Sequence, residues 1–324
     1  MHPPSDSQVA HRALAASGTV AGWRRAGWVP SLVLAILLAA PGATRSAATP
    51  TAPAAGALQQ GDRAWAERAH RVDGEWRADA ARVADAVESY RRAVDAAPDD
   101  LPGHRRLLTA LYFQGEHVAA GKEERRRVFE QGKNAAEAAL GRLADLAGAD
   151  REAFRDLEPT QRAERLRAAG VDPEDAAALY FWSGVHWGLW GDAYGRLAAA
   201  RAGVAGTVRD DALTALDLDP GVERAGPHRV LGRLHAEAPK IPFFTGWIDR
   251  DLAIAELEQA VEMAPEEPLN HVYLAQALVD YRPDRGEEAR ARLRALLDRP
   301  PEAARPVEGA AARREARRIL QEEP

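Results

Sequence analysis

A spacing of small and large apolar residues, recurring with a period of about 34 residues, most constrains the fold of this chain. The order is small, large, small and then proline. It occurs twice with identical offsets, at Ala86, Tyr90, Ala93 and Pro98, and at Ala253, Leu257, Ala260 and Pro265. A small residue lets two helices approach, the large residue fills the neighbouring hole, and proline ends the helix because it lacks an N–H donor. The pattern is typical of the second helix of a tetratricopeptide unit.

Weaker copies extend the array. They lie at Ala289, Leu293, Leu296 and Pro301, and at Val208, Ala212, Ala215 and Pro220. The intervals are irregular, with insertions near 71–80, 143–175 and 239–248. We therefore predict an all-α fold, a divergent tetratricopeptide-like solenoid of helix pairs over 61–300. A C-terminal amphipathic helix within 301–324 is expected to cap the stack through Ile319 and Leu320.

Composition agrees with helices and excludes one class of partner. Hydrophobic residues make up 46% of the chain, and about half of them are alanine, the best helix former. The formal net charge is −6. A protein that binds nucleic acid should carry a basic surplus, so we expect no nucleic-acid partner.

The first 48 residues have the order of a secretory signal. Arg24 and Arg25 precede an apolar run centred on 32–40, and Ser46, Ala47 and Ala48 offer a cleavage site. The alternative is an uncleaved anchor, but the run is shorter than the roughly 20 apolar residues that span a bilayer. We expect an exported, periplasmic protein, with a flexible linker over 49–60. The absence of cysteine excludes disulfides and thiolate metal sites.

The run YFWSGVHWGLWGDAYG at 180–195 concentrates aromatic residues and glycines. On a helix, four glycines share one face and cost about 4 kcal/mol relative to alanine. Two explanations stay open: close helix packing with a core of aromatics, or a groove for an apolar ligand or partner segment. The candidate binding residues, here and in the two stretches that follow, are Tyr180, Trp182, His186, Trp187, Trp190, Tyr194, Arg229, His235, Phe243, Phe244 and Trp247.

Catalytic and metal-binding motifs are not found in the sequence. No nucleophile elbow, zinc-protease helix, phosphate loop or dinucleotide fingerprint stands in a fitting context. His228 and His235 are two helical turns apart without a carboxylate at ligand spacing, which favours a hydrogen-bonding role over a metal site. We expect no catalytic residues, no metal, no cofactor and no enzyme activity.

Several longer runs resemble one protein family. YFWSGVHWGLWG at 180–191, LDLDPG at 216–221, GPHRVLGRLHAEAP at 226–239 and DLAIAELEQAVEMAPEEPLNHVYLAQAL at 251–278, with RRVFEQGKNAAEAAL upstream at 126–140, look like the T-component (TatT-like) family of TRAP transporters. The resemblance implies a non-enzymatic, tetratricopeptide-like periplasmic protein that can oligomerise and partners a solute-binding protein. It also implies a hydrophobic cleft or pore. Members are often lipoproteins, and this chain departs from them because it has no cysteine to carry a lipid.

The sequence thus favours an exported accessory protein that partners a periplasmic solute-binding protein and holds an apolar small molecule, with homo-oligomerisation open. The alternative is a general scaffold for protein-protein interactions in envelope assembly. An enzyme using His186, His228 or His235 ranks third.

Overall fold

The computed structural model describes residues 52–242, 245–300 and 302–322. The first seven helices are α1 (Ala52–Ala66), α2 (Ala80–Ala96), α3 (Leu101–His117), α4 (Lys122–Leu146), α5 (Arg151–Arg155), α6 (Pro159–Ala168) and α7 (Pro173–Tyr194). The other seven are α8 (Arg196–Arg201), α9 (Val204–Leu218), α10 (Val222–Glu237), α11 (Arg250–Met263), α12 (Pro268–Tyr281), α13 (Gly286–Asp298) and α14 (Pro306–Glu322). The predicted all-α fold is confirmed.

Most helices of the two halves pack on the helix that precedes or follows them in the chain, and the predicted small residues lie in these contacts. In α2, Ala86, Tyr90 and Ala93 are buried, and in α11, Ala253, Leu257 and Ala260 are buried. The weaker copies in α9 and α13 bury their apolar positions as well. Successive contacts run from α1 to α4 and again from α9 to α14, while α7 joins the two halves by packing on α3, α4, α9 and α10. The repeat pattern therefore marks the contact faces of the helices.

The three predicted insertions are confirmed as departures from the repeat. The first forms an antiparallel hairpin of β1 (Ala69–Val72) and β2 (Glu75–Ala78). The second contains the short helices α5 and α6, and the third is the connection between α10 and α11. Each insertion lies between helices that belong to the array.

The prediction of a flexible linker over 49–60 is wrong from residue 52 onward. Helix α1 begins at Ala52, and its Gly61 packs directly on the Tyr90 ring. An alanine-rich segment forms a helix at little entropic cost once a neighbouring helix covers one of its faces. The sequence pattern concealed this because Leu58, which packs on the core, is the one large apolar residue in the segment 49–60.

The C-terminal helix contacts both ends of the array. Helix α14 packs on α12 and α13 and buries Ile319. It also packs on β2, and Val307 is buried in one cluster with Val83 and Phe113. Arg68, next to the hairpin, donates to the carbonyl of Ala304 at 2.8 Å and to Glu308 at 3.2 Å. The last helix thus fixes the first hairpin as well as the last repeat.

No helix in the described ranges is long and apolar enough to cross a membrane. The predicted signal segment and the candidates Phe243 and Phe244 lie outside the described residues.

Replacement of Gly115 by alanine tests the close packing of α3 on α4. A Cβ at Gly115 would lie 2.2 Å from Cε1 of the buried Phe129 ring. We expect Gly115→Ala to lower the free energy of unfolding by about 1–3 kcal/mol, since a tightly packed contact tolerates no extra methyl group. Urea unfolding measures the change.

Gly188→Ala is the matched control, because a Cβ there would meet nothing within 4 Å. Inside α7 it should raise the free energy of unfolding by about 0.5–1 kcal/mol through helix propensity. Equal effects of the two substitutions would contradict the packing.

Candidate functional site

A cleft of about 410 Å³ opens between α1, α2, α3 and the start of α7. Its walls are mostly aromatic and charged side chains. They include Trp65, Tyr90, Arg105, Arg106, Thr109 and Asp175. A volume of this size lies in the range of small-molecule sites. We name it the α3 cleft, because α3 supplies more of its lining than any other helix.

Local sequence places the lining of the α3 cleft. Helix α3 begins after Asp100 with a proline in its first turn, and Arg105, Arg106 and Thr109 lie on one half-buried face at helical spacing. Helix α7 begins after Asp172, whose carboxylate accepts from the backbone N–H of Glu174 at 2.9 Å. That cap sets Asp175 in the first turn, at the edge of the cleft.

Three of the four charged residues that line the cleft have partners inside the fold. Arg106 donates to Asp62 at 3.0 Å, and Asp62 also accepts from the Tyr90 hydroxyl at 2.9 Å. Arg105 donates to Glu223 at 2.8 Å. Burial alone would lower the pKa of Arg105, but the charge and hydrogen bond of Glu223 have the larger combined effect, so the pKa of Arg105 is raised. Both arginines are thus fixed as charged wall residues.

Asp175 is the exception. Its carboxylate has no hydrogen bond or ion pair with any of the described residues. Burial raises the pKa of Asp175, and the neighbouring charges of Asp172, Glu174 and Asp100 raise it further, against the opposing charge of Arg105. The α3 cleft therefore contains one unpaired carboxylate in a negative field.

Glu223 connects the cleft to a strained turn at the start of α10. Its carboxylate oxygen Oε1 accepts from Arg105 and from the indole N–H of Trp182, at 2.8 and 3.0 Å. Glu223, Arg224 and Ala225 all have positive φ, between 50° and 58°. Left-handed backbone at three successive residues other than glycine is costly and persists only where the surroundings hold it. Such strain is found most often at functional positions.

Arg229 and Asn270 hold the turn. The Arg229 guanidinium donates to the carbonyls of Glu223 and Arg224, at 3.1 and 3.0 Å, and to the Asn270 side chain at 2.8 Å. Asn270 is fully buried and donates to the carbonyl of Ala260 at 2.8 Å. The planar fork of arginine suits two carbonyls and an amide together. Arg229, a candidate binding residue, thus contacts the backbone of this turn in the structure.

His186 is a core residue in this structure. It has no exposed surface, and its Nε2 hydrogen-bonds the carbonyl of Leu108 at 3.0 Å. The ring lies so close to α4 that a Cβ at Gly132 would be 2.1 Å from His186 Nδ1. Burial lowers the pKa of His186 to about 4, so the ring is neutral at physiological pH. His186 is therefore a core histidine with one ring nitrogen bonded, because its Nδ1 is also buried and has no hydrogen-bond partner among the described residues.

The second half of the aromatic run forms a ladder along α4. Trp190 stacks on Tyr194 with ring centres 4.7 Å apart, and it meets Trp187 edge-on at 5.8 Å. The Lys133 ammonium lies 4.8 Å from the centre of the Trp187 ring. Tyr194 is 37% exposed, and Leu197, one turn further in α8, is 65% exposed. The ladder ends in an exposed apolar edge, away from the buried first half of the run.

The remaining candidates lie in separate places. Tyr180 is buried beside Arg162, and Trp182 is buried against Tyr112 and Glu223. His235 accepts from the backbone N–H of Asp249 at 3.1 Å and contacts the Trp247 ring edge-on. The structure therefore brings the candidates together in pairs and small groups, and Trp182 is linked to the α3 cleft through Glu223.

The glycine face of α7 serves close packing at one position. A Cβ at Gly191 would lie 3.2 Å from Val204 of α9, and one at Gly184 would make ordinary contacts with the same helix. Gly188 and Gly195 have open space at the Cβ position. Close helix packing therefore explains why glycine stands at position 191. At position 188 a larger residue would have room, so packing does not explain the glycine there.

The cleft residues Trp65, Arg105 and Asp175 were missed by sequence reasoning. They are far apart in the chain and fit no motif, since a single arginine on a helix face or an aspartate in a first turn is common. Arg105 and Thr109 are one helical turn apart, and this spacing indicates a polar helix face. Pro102, just before them, marks the first turn of that helix. Nothing in the sequence shows that α1 and α7 border that face.

No group of three or more potential metal ligands lies together within the described part of the chain. His228 Nδ1 contacts a Glu256 carboxylate oxygen at 2.7 Å, and its Nε2 has no described hydrogen-bond partner. No protein-family model matches the chain, and comparison with characterised proteins likewise finds no match.

Stability at acid pH tests the burial of His186. A histidine has a pKa of about 6.5 in the unfolded chain, and the folded value is lowered to about 4. The contribution of His186 to the free energy of unfolding is therefore complete above pH 6.5. It is lost as the pH falls through 4, by up to about 3 kcal/mol. We expect His186→Gln to flatten this part of the curve of unfolding free energy against pH.

The quantity to compare is the unfolding free energy of the wild type minus that of His186→Gln at each pH, because this difference cancels the contributions of other titrating groups. Burial raises the pKa of Asp211 to about 7, so that residue contributes a slope of opposite sign, with stability lost as the pH rises toward 7. A difference curve that stays level between pH 4 and 6.5 would contradict a neutral buried ring.

Two substitutions at Arg229 test the support of the strained turn. We expect Arg229→Ala to lower the free energy of unfolding by about 3 kcal/mol, because it leaves buried carbonyls and the Asn270 amide without a charged donor. Arg229→Lys keeps the charge but loses the fork, so it should restore little of this stability. Urea unfolding measures both, and a lysine variant as stable as the wild type would rule out the fork geometry.

Proposed function

We propose that this chain is an exported, non-enzymatic helical-repeat accessory protein that holds a small ligand in the α3 cleft. In this proposal its partner is a periplasmic solute-binding protein of a TRAP-type transporter, with which it exchanges or presents the ligand.

The α3 cleft is the observation that carries the ligand-holding part of the proposal. Its walls come from four helices, and the helices are held in place by fold-internal hydrogen bonds of Arg105, Arg106 and Tyr90. A pre-formed wall loses little conformational entropy when a ligand binds. A second cavity, of about 60 Å³ beside α12, α13 and α14, has room for a few water molecules only.

The positions of the family-like runs support the transporter part of the proposal. YFWSGVHWGLWG lies within α7, which borders the cleft at its start and carries Trp182. GPHRVLGRLHAEAP forms α10 and includes Arg229, which holds the strained turn. The runs that resemble the T-component family thus lie in two of the helices that meet at the Glu223 contact.

The exposed end of the aromatic ladder is the surface that best suits a protein partner. Tyr194 and Leu197 are the exposed apolar residues there, and Trp187 and Trp190 are half-buried behind them. Tryptophan and tyrosine are enriched at the centres of protein interfaces. A general envelope scaffold, the alternative function, would use the same exposed edge. The two functions differ because a scaffold needs no ligand in the α3 cleft.

The test is native mass spectrometry and affinity capture of the mature chain from its own periplasm. We expect a small molecule bound to the chain and co-purification of a solute-binding protein. Leu197→Asp should weaken that capture at least about tenfold, since it places a charge at the centre of the proposed contact. Leu252→Asp, at a residue 41% exposed in α11, is the matched control and should leave it unchanged.

Two results would contradict the proposal. If the chain is consistently empty and captures no solute-binding protein, the transport function fails. If the chain is empty but captures assembly factors in a manner that depends on Leu197, the scaffold alternative is correct.

A further inference from the structure

The unpaired carboxylate of Asp175 indicates the charge of the ligand. Arg106 is matched by Asp62, and Arg105 is matched by Glu223 and by Glu174 at 3.3 Å. Asp175 has no such partner among the described residues. A partly desolvated carboxylate without a counter-ion is less stable than one in water, and a cation placed beside it would offset that cost. The charge that the α3 cleft lacks is therefore positive.

The surroundings of Asp175 add to this preference. Asp172, Glu174 and Asp100 act on Asp175 with like charge, and Asp62 also lines the cleft. Arg105 and Arg106 are the cleft's own cations, and the hydrogen bonds above give each of them an acidic partner. The lining itself has two acidic and two basic residues, but around Asp175 three like charges act against the one arginine, Arg105, which favours a cation beside this carboxylate.

Aromatic rings supply the apolar part of the site. Trp65 and Tyr90 line the cleft, but Tyr90 is buried, so Trp65 is the ring with accessible surface. The Arg68 guanidinium lies 4.3 Å from the centre of the Trp65 ring, so a ligand would contact the part of the ring that Arg68 leaves uncovered. A carboxylate combined with aromatic walls is the arrangement that binds organic ammonium ions, because the rings attract positive charge and cover the alkyl groups. A hydrated metal ion would instead require several oxygen ligands around one point.

Helix capping alone does not explain Asp175. The N-terminal N–H groups of α7 are already served by Asp172, which accepts from the backbone of Glu174 and of Asp175 itself. Asp175 gains some energy from the helix dipole, as any first-turn acid does. That gain requires no desolvation, whereas Asp175 is half-buried at the wall of a cleft.

We propose that the α3 cleft binds a small organic cation, with Asp175 as its counter-ion and Trp65 as an aromatic wall. This inference rests on the proposed ligand-holding function and names the chemical class of that ligand. The cation has an ammonium or quaternary ammonium centre with apolar substituents, of a size that a cleft of about 410 Å³ accepts.

Three probes of nearly equal shape test the proposal by calorimetric titration of the full-length purified chain. They are choline, the neutral analogue 3,3-dimethylbutan-1-ol and the anion 3,3-dimethylbutanoate. We expect saturable binding of choline, at least tenfold tighter than binding of the alcohol, and no binding of the anion. The comparison isolates charge because the three share one branched body.

Variants then locate the site. Asp175→Asn has the same shape without the charge and should weaken choline binding about tenfold, and Trp65→Leu should weaken it about threefold or more. Asp251→Asn is the matched control, since Asp251 is exposed in the first turn of α11 and does not line the cleft. It should leave binding unchanged. Circular dichroism and the melting temperature confirm that each variant folds.

Equal binding of choline and the alcohol, preferred binding of the anion, or choline binding unaffected by Asp175→Asn would each overturn the proposal. Failure here is separable from failure of the proposed function. A chain that binds no choline yet carries another small molecule and captures a solute-binding protein keeps its function and loses only the ligand class.

Discussion

The carboxylate of Glu223 is the contact on which the site depends. It accepts from Arg105 of α3 and from Trp182 of α7, and it sits in a left-handed turn at the start of α10. Three helices from different parts of the chain therefore meet at one side chain. Hydrogen bonds to an ionised acceptor are strong and directional, so the position of Glu223 fixes Arg105 in the wall of the α3 cleft. Arg229 holds the turn in place and acts on the cleft indirectly.

Elsewhere the fold is governed by small residues. Alanines such as Ala86 and Ala260 bring neighbouring helices close together, and the resulting contacts leave little empty space. The half-buried face of α3 between Pro102 and Thr109 carries long polar side chains instead, and these pair with α1 and α10 rather than packing flat against them. A cleft forms at this face because its helix contacts are made by long polar side chains and not by small residues such as alanine. The same array thus provides both a rigid frame and a site.

The repeat spacing was sufficient to predict the fold class, the helices that carry Tyr90 and Leu257, and the places where insertions fall, because helix packing is encoded locally. The site was harder to predict. Asp175, Arg105 and Trp65 come together only through tertiary packing of α1, α3 and α7, and none of them is unusual in its own stretch. The aromatic run at 180–195 stands out in the sequence, but its spacing on a helical wheel does not show that the first half is buried and the second half forms a surface ladder.

A crystal of the chain soaked in arsenocholine tests the central claim most directly, because arsenic marks its own position by anomalous scattering. The account predicts a peak inside the α3 cleft, within about 5 Å of the Asp175 carboxylate and beside the Trp65 ring. A peak at another site with the cleft empty, or no peak in a crystal where the cleft is open to solvent, would contradict it.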